Sequence, residues 1–213
     1  MIAKSPIVKH LVLIGGGHSH LAVLKHLGMH PVPGLAVTLI SRDINVPYSG
    51  LLPGFISGAY DAKEISIDLR PLAQFAKARI IQADIKNIDL NDKKLILPNR
   101  PNIPFDLLSI NIGSEPNLNM IPGAQDHAIG IKPLPAFLEL WPQLLQRTIG
   151  TLTQKEQFKF AIVGGGPASV ELAFSIHHRI KNDLNLTGAG KSNLQIQIIS
   201  AEKTLLQFHN NRV

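Results

Sequence analysis

The order of apolar and polar positions predicts a strand, a glycine loop and a helix near the N-terminus. Residues 10–14 form a short apolar run of β-forming residues next to glycines, which is typical of a buried strand. In residues 18–27 a leucine recurs at every third position, which is a helical spacing. Gly28 and the prolines that follow end this helix, and residues 36–40 form a second buried strand.

The same order of elements returns near the C-terminus. Its parts are a strand at 158–163, a glycine loop at 164–166, a helix at 168–180, a polar stretch at 181–193 and a strand at 194–200. A repeat of this kind indicates that both segments fold into the same kind of unit for a common physical reason. Two strand–glycine–helix–strand units predict an α/β protein with two Rossmann-like domains in three layers.

Shorter elements are expected between the two units. Four helix or strand breakers in residues 48–60 exclude a long regular element there. The remaining expectations are extended segments at 65–69 and 78–83, a short helix at 71–76, a hairpin at 84–97, a buried strand at 105–112 and a helix at 134–145 that Pro142 kinks or breaks.

The composition narrows the function classes. With 45% hydrophobic and 17% charged residues, the chain suits a globular protein with a packed core. Its net charge of +6 comes from scattered residues, which favours attraction of anionic cofactors over nucleic acid. The absence of cysteine excludes disulfides, thiolate zinc sites, iron–sulfur clusters and cysteine nucleophiles.

The first glycine loop is a candidate diphosphate site. Gly15, Gly16 and Gly17 precede His18, Ser19 and His20, so two of the three glycine positions of G-x-G-x-x-G are met and His20 takes the third. The first glycine permits the tight turn, the second lets a diphosphate approach the backbone, and the third allows close packing of helix on strand. Free N–H groups and the positive helix end then favour an anion.

The second loop meets the pattern more closely. Gly164, Gly165 and Gly166 precede Pro167, Ala168 and Ser169, and the small Ser169 stands in the third position. Proline is tolerated at a helix start because the N–H groups there have no partner within the helix.

The residues that would hold a ribose are the least regular part of the pattern. A carboxylate is expected after the second strand of each unit. Ser41 stands there in the first unit, with Arg42 and Asp43 next, and Ser200 and Glu202 are the candidates in the second. A serine hydroxyl accepts fewer hydrogen bonds than a carboxylate and cannot accept from both hydroxyls of a ribose diol as a carboxylate can. The lack of an adjacent arginine in the second unit favours NAD over NADP.

Other chemistry-bearing residues have plainer interpretations. The histidines at 18 and 20, and those at 177 and 178, point apart on a helix, so no metal site is expected. His18 next to the first loop remains a candidate contact to phosphate or flavin. Phe137 and Trp141 are four residues apart, which favours helix packing over a cofactor site.

Three segments together resemble a known family. They are Val12–Gly17, the run Asn111-Ile112-Gly113-Ser114 with Pro116, and Val163–Ala173. This combination resembles the two-dinucleotide-binding-domain flavoproteins of the pyridine nucleotide-disulfide oxidoreductase superfamily, including the type II NADH dehydrogenases. The resemblance implies FAD at the first loop, NAD(P)H at the second and Asn111, Ile112 and Gly113 near the flavin.

A narrower resemblance rests on His18–His20, Pro47–Gly54 and Ile67–Leu72. These segments are similar to NADH-dehydrogenase-like flavoproteins fused to selenide, water dikinase. The resemblance places Pro47, Tyr48, Ser49 and Gly50 against the isoalloxazine ring and the backbone of Ile85 against adenine. It also makes Glu171 a contact on the nicotinamide side.

The resemblance therefore predicts an FAD-dependent NAD(P)H oxidoreductase that passes electrons to a quinone or another acceptor. No protein acid or base is assigned as catalytic, because the flavin carries the chemistry. Residues 1–152 are expected to form the N-terminal portion of the FAD-binding domain, and 153–213 the truncated start of the NAD(P)-binding domain. The alternatives are a non-catalytic nucleotide-binding regulatory domain attached to selenide, water dikinase, or an inactive fragment.

The cellular location and the oligomeric state have no positive signal in the sequence, so both are default expectations. The N-terminal ten residues are too polar for a signal-peptide core, and no apolar run approaches the roughly 18 residues of a membrane helix. A cytoplasmic protein follows, with peripheral membrane contact and a homodimer left open for the full-length protein.

Overall fold

The computed structural model describes residues 6–186 and 193–207. Parts of the predicted polar stretch and of the predicted second domain, at 187–192 and 208–213, lie outside the described residues. In chain order the elements are β1 (Lys9–Ile14), α1 (His18–Met29), β2 (Leu35–Ser41), β3 (Asn45–Pro47), α2 (Leu52–Ser57), β4 (Ser66–Asp68), α3 (Leu69–Phe75), β5 (Arg79–Gln82), β6 (Asn87–Asp89), β7 (Lys94–Ile96), β8 (Ile103–Pro104), β9 (Leu107–Ile110), α4 (Ala124–His127), α5 (Leu134–Thr153), β10 (Phe158–Val163), α6 (Pro167–Leu186) and β11 (Leu194–Ile199), with 3-10 turns at Ser49–Leu51 and Leu118–Met120.

The chain divides into two compact units. The first comprises Met1–Tyr48 and Ser66–Glu115, and the second comprises Ser49–Ile65 and Pro116–Val213. This division differs from the predicted boundary between residues 152 and 153. The physical reason is the packing of α5, whose buried side chains share one core with those of α6 and therefore belong to the second unit.

The first unit is built on a parallel four-stranded sheet in the order β5-β2-β1-β9. β1 pairs with β2 from Lys9↔Leu35 to Ile14↔Ile40, so the two strands end level with one another. In such a sheet, ligands bind beyond the carboxyl ends of the strands. The glycine loop at residues 15–17 leaves the sheet at this edge.

Both faces of this sheet are covered, which explains why β1 and β2 are continuous apolar runs rather than alternating ones. Leu13 and Leu39 point to one face, where they pack with Leu24 of α1 and Leu69 of α3. The opposite face carries Val12, Ile14, Ile40 and Ile81, which pack with Leu95 and Leu97. Leu95 lies in the antiparallel sheet β6-β7-β8, so the first unit has three layers.

Most of the predicted elements of the first unit are confirmed. The two long strands and α1 lie within two residues of their predicted bounds, and the hairpin is present as β6 and β7. The breaker-rich segment 48–60 contains only a 3-10 turn and the six-residue α2. Gly58, at φ +85°, ends α2 in the left-handed conformation that favours glycine.

The second unit packs three helices with a two-stranded parallel sheet. β10 pairs with β11 from Phe158↔Leu194 to Val163↔Ile199, which repeats the six-residue pairing of β1 with β2. Its core contains buried side chains of α2, α5 and α6 and half-buried side chains of both strands. Phe137 and Trp141 lie in this core with ring centroids 6.2 Å apart, as expected for helix packing.

The predicted break at Pro142 is wrong. α5 runs through it, from Leu134 to Thr153. An interior proline removes one backbone hydrogen bond and crowds the preceding turn. The buried stripe of the helix continues on both sides of the proline, at residues 137, 141, 145, 148 and 152. Since tertiary packing supplies most of the stability of a helix in a protein, this stripe overrides the local breaker.

Candidate functional site

The first glycine loop turns sharply at the carboxyl end of β1. Gly15 has φ +90°, a value that L side chains rarely adopt. Its N–H donates to the carbonyl oxygen of Ile40 at 2.7 Å, which continues the ladder between β1 and β2 by one bond. The chain then enters α1, where the carbonyl oxygen of Gly17 accepts from the N–H of His20 at 3.0 Å.

Asn111, just beyond β9, lies against this loop and explains two of the glycines. An ideal Cβ on Gly15 would lie 2.3 Å from the carbonyl oxygen of Asn111, and one on Gly17 would lie 2.3 Å from its side chain. Gly16 is also constrained, because its Cβ would lie 2.7 Å from side-chain atoms of Leu69 and Val46. Packing within the first unit therefore leaves little room for a side chain at any of the three positions.

The side chain of Asn111 also caps α1 from outside the helix. The N–H groups of His18 and Ser19 can only donate, so the amide is oriented with Oδ1 towards them, at 3.3 and 3.1 Å, and towards Ser19 Oγ at 2.6 Å. The carbonyl oxygen of Asn111 accepts from the N–H of Gly17 at 3.2 Å. Gly17 itself supplies no side-chain cap. Oxygen atoms therefore already satisfy the first N–H groups of α1.

His20 occupies the third glycine position as a buried structural residue. Its side chain is 1% exposed. Nδ1 lies 2.7 Å from the carbonyl oxygen of Gly15, which can only accept, so Nδ1 donates to it, and Nε2 is hydrogen-bonded to Ser109 Oγ at 2.9 Å. Both ring nitrogens are engaged by protein. The predicted contact of His20 with a cofactor is thus corrected to a link between the loop, α1 and β9.

His18 and Tyr48 form the aromatic part of this region. His18 is the first residue of α1 and is exposed, and its ring stacks on that of Tyr48 with centroids 4.5 Å apart and planes 19° apart. Pro47, which ends β3, is half-buried. Ser49 and Gly50 are exposed, but they belong to the second compact unit.

The carboxyl ends of β2, β5 and β9 carry the other residues predicted for the first dinucleotide. Ser41 is 7% exposed, whereas Arg42 is exposed and pairs with Asp84, Nε to Oδ1 at 2.7 Å. This hydrogen bond is the main cause that raises the pKa of Arg42. Ile85 is half-buried and packs by its side chain on the core of the antiparallel layer. Ile112 and Gly113 are exposed, the latter at φ +83°.

The second loop reproduces the backbone geometry of the first. Gly164 has φ +126° and its N–H donates to the carbonyl oxygen of Ile199 at 2.8 Å. The carbonyl oxygen of Gly166 accepts from the N–H of Ser169 at 3.1 Å, as that of Gly17 does from His20. Gly165 is confined by Ser200, whose Oγ would lie 2.3 Å from its Cβ. The predicted duplication is therefore present in the hydrogen bonds as well as in the sequence.

Gly166 differs from the other loop glycines. A Cβ built on it meets nothing within 4 Å, and its φ lies outside the left-handed region. No packing within the second unit requires glycine there. The space lies at the start of α6, a helix of 20 residues, where the N–H groups attract anions. This is the room that a diphosphate needs to approach the backbone.

The remaining residues predicted for the second dinucleotide surround this loop. Pro167 is the first residue of α6, and Ala168 and Glu171 in its first turns are exposed. Ser200 is half-buried and its Oγ accepts from the N–H of the exposed Glu202 at 3.1 Å. No pattern in the sequence pointed to Leu206, whose N–H donates to the carbonyl oxygen of Gly165 at 2.9 Å.

The contact of Asn111 with Gly17 leads to a double-mutant prediction. Gly17→Ala alone is expected to lower the free energy of unfolding by about 2 kcal/mol, because the methyl group displaces the cap and leaves N–H groups unpaired. Asn111→Ala alone is expected to cost about 1 kcal/mol. In the Asn111→Ala background, Gly17→Ala should cost less than about 0.5 kcal/mol. Urea unfolding of the four proteins measures the coupling, and strict additivity would contradict the assigned contact.

Among residues 6–186 and 193–207, no group of three or more His, Asp or Glu side chains is placed to hold a metal ion. Within the same ranges no helix has the length and apolar character to cross a bilayer.

The sequence is similar to those of several known proteins. The sequence matches the pyridine nucleotide-disulphide oxidoreductase family over residues 9–213. It is 28% identical to the NADH dehydrogenase-like protein YutJ of Bacillus subtilis over 192 residues, which cover 88% of this chain and 50% of that protein. It is 25% identical to the mitochondrial external alternative NAD(P)H-ubiquinone oxidoreductase B4 of Arabidopsis thaliana, covering 83% of this chain and 33% of that protein.

A solved structure has the same fold. It is that of NDH2 from Plasmodium falciparum in complex with NADH, which superposes with a TM-score of 0.76 at 19% identity, over 96% of this chain and 44% of that one. The chain thus spans a third to a half of the length of the proteins that it matches. With the family match extending over almost the whole sequence, this chain belongs to the pyridine nucleotide-disulphide oxidoreductase family.

Proposed function

We propose that this chain is the dinucleotide-binding part of an FAD-dependent NAD(P)H oxidoreductase of the type II NADH dehydrogenase kind, with FAD at the first loop and NAD(P)H at the second. The observation that carries the proposal is the pair of loops at Gly15 and Gly164, which share the same hydrogen bonds in one chain. Relatives named as NAD(P)H-ubiquinone oxidoreductases support a quinone as the electron acceptor.

The first loop fits a diphosphate by the chemistry of its donors. In this structure the N–H groups of Gly17, His18 and Ser19 donate to oxygen atoms of Asn111, so a diphosphate would bind here by replacing the side-chain oxygen of Asn111 with its own. The stacked rings of His18 and Tyr48 provide a flat surface next to the same helix end. Such a surface suits a planar ring system. These residues would hold and orient FAD.

The second loop fits by its open space. Among the six glycines at 15–17 and 164–166, Gly166 is the one whose Cβ would have no atom of the described residues within 4 Å, and it precedes a long helix whose N-terminus favours anions. Glu202 is an exposed carboxylate beyond the second strand, where it is available to accept from a ribose diol. These features support NAD(P)H as the occupant.

Flavin, when bound, supplies the two-electron chemistry, and the chain's own residues bind, orient and exclude solvent. The chain contains no cysteine, so it carries no redox-active disulfide. Hydride transfer from NAD(P)H to a flavin needs no protein acid or base, and the net reaction, NAD(P)H + H⁺ + quinone → NAD(P)⁺ + quinol, would take its remaining proton from the solvent. We therefore assign no catalytic side chain.

Uptake of FAD tests the proposal. The purified protein is incubated with FAD, passed over a desalting column and examined for the flavin absorbance that remains with the protein. We expect about one FAD per chain, and equal retention by Gly150→Ala, since Gly150 lies on an exposed part of α5 with nothing within 4 Å of its Cβ. Protein that retains no flavin at any FAD concentration would overturn the proposal.

The narrower similarity to flavoproteins fused to selenide, water dikinase is part of the same proposal. It rests on the segments at His18–His20, Pro47–Gly54 and Ile67–Leu72. Determining whether the same coding region also encodes a kinase domain tests it. The cytoplasmic location, peripheral membrane contact, homodimer and preference for NAD over NADP remain predictions.

A further inference from the structure

The first unit lacks a carboxylate on the last residue of β2, the usual place of the acid that binds a ribose diol; the first acid beyond it is Asp43, at the register that Glu202 has after β11. In dinucleotide-binding domains this acid follows the second strand. Here β2 ends in Ser41, which is buried and whose carbonyl oxygen accepts from the N–H of Ala83 at 3.1 Å. The next residue, Arg42, is of the type that accommodates a 2′-phosphate in NADP-binding sites. Taken alone, this strand end favours a phosphate over a diol.

The neighbouring strand brings a carboxylate to the same edge of the sheet. β5 pairs with β2 in parallel, with Ser41 opposite Gln82. Two further bonds hold the strand ends together, from Ala83 N–H to the carbonyl of Ser41 and from Gln82 Nε2 to the carbonyl of Arg42 at 3.0 Å. Asp84 follows directly and accepts from Arg42 Nε at 2.7 Å. The carboxylate is thus tied to the end of β2, although it comes from another strand.

The Arg42–Asp84 ion pair is expected to contribute little to the stability of the fold. The side chains are 78% and 58% exposed, and exposed ion pairs contribute little to stability. The bond uses Oδ1 of Asp84, and a carboxylate has acceptor sites for several further hydrogen bonds. Asp43 and Glu115 lie close enough to act on Arg42 as well, so a single guanidinium stands among three carboxylates. Such an environment disfavours a second phosphate.

We propose that Asp84, held in place by Arg42, accepts hydrogen bonds from the ribose hydroxyls of the dinucleotide at the first loop, and that the pair excludes a 2′-phosphorylated nucleotide. Asp84 replaces the missing acid of β2 from the adjacent strand. Arg42 positions it and is itself neutralised. This inference rests on the proposed function, because it specifies how the first loop recognises FAD.

The test compares Asp84→Asn with Asp43→Asn, its matched control on the same edge. The affinity for FAD is measured by quenching of flavin fluorescence, and the displacement of bound FAD by ADP and by 2′,5′-ADP reports on the FAD site alone. We expect Asp84→Asn to weaken FAD binding by about tenfold or more and to make 2′,5′-ADP the better competitor. Asp43→Asn should change the FAD affinity by less than about threefold. A larger loss of affinity for Asp43→Asn than for Asp84→Asn would overturn the inference, because it would assign the ribose to Asp43.

A second variant keeps the test decisive if Asp84→Asn is poorly folded, which circular dichroism detects. Arg42→Gln should weaken FAD several-fold without improving competition by 2′,5′-ADP, because the phosphate's partner is removed together with the support of Asp84. Equal FAD affinity of the wild type, Asp84→Asn and Arg42→Gln would overturn the inference and leave the proposed function standing. A wild-type protein that binds no FAD would overturn both.

Discussion

Replacing Gly15 with alanine is expected to lower the free energy of unfolding by about 3 kcal/mol or more. The residue has φ +90°, where a side chain is strained whatever the space around it. The added Cβ would also lie 2.3 Å from the carbonyl oxygen of Asn111. That oxygen cannot withdraw easily, because Asn111 is held through its N–H to the carbonyl of Ile14 at 2.8 Å and through its carbonyl to Gly17. The backbone strain and the steric clash therefore both lower the free energy of unfolding.

Gly150→Ala is the matched control for this variant. Gly150 lies inside α5, with nothing within 4 Å of its Cβ and a φ outside the left-handed region. Alanine there should raise the free energy of unfolding by about 0.5–1 kcal/mol, because glycine weakens a helix interior. Urea denaturation of both variants measures these changes in the free energy of unfolding. If Gly15→Ala costs less than about 1 kcal/mol, the loop does not have the conformation described.

The second large effect is expected on binding and not on stability. Gly166→Ala should leave the free energy of unfolding within about 0.5 kcal/mol of the wild type and weaken NADH binding by about tenfold or more. The Cβ meets no protein atom, so folding tolerates it. The same methyl group fills the space through which a diphosphate would approach the start of α6. Stability and binding are thereby separated in one substitution.

Calorimetric titration with NADH and urea unfolding measure the two quantities on the same preparation. Gly150→Ala again serves as the control, since it lies in the same compact unit and should bind NADH as the wild type does. A Gly166→Ala protein with unchanged NADH affinity would mean that the diphosphate does not pass this glycine. Strong destabilisation would instead show that protein atoms confine the position.

Local patterns were sufficient to predict the two strand–loop–helix units. Both β1 and β10 are short apolar runs that stop at glycine, and each signal is contained in about twenty residues. The error at Pro142 has the opposite origin. A single breaker argued against a helix that long-range burial of Trp141 and Leu145 nevertheless stabilises. The helix α6 likewise extends to Leu186, into a stretch that its polar composition made look irregular.

The contacts that define the candidate site join residues far apart in sequence. Asn111 and Ser19 are 92 residues apart, His20 and Ser109 are 89 apart, and Arg42 and Asp84 are 42 apart. The periodicity within one segment cannot indicate such pairs. His20 therefore looked like a departure from the glycine pattern, and Asp84 had no predicted role. The parallel pairing of β2 with β5, once known, would have pointed to Asp84 as a carboxylate at the end of β2.

The most direct test of the central claim is an anaerobic titration of the FAD-loaded protein with NADH, followed by the flavin absorbance in the blue. We expect one equivalent of NADH to bleach the bound flavin, because each loop would hold its own dinucleotide and a hydride carries two electrons. Flavin that stays bound and oxidised in the presence of saturating NADH would contradict an oxidoreductase and favour a nucleotide-sensing module.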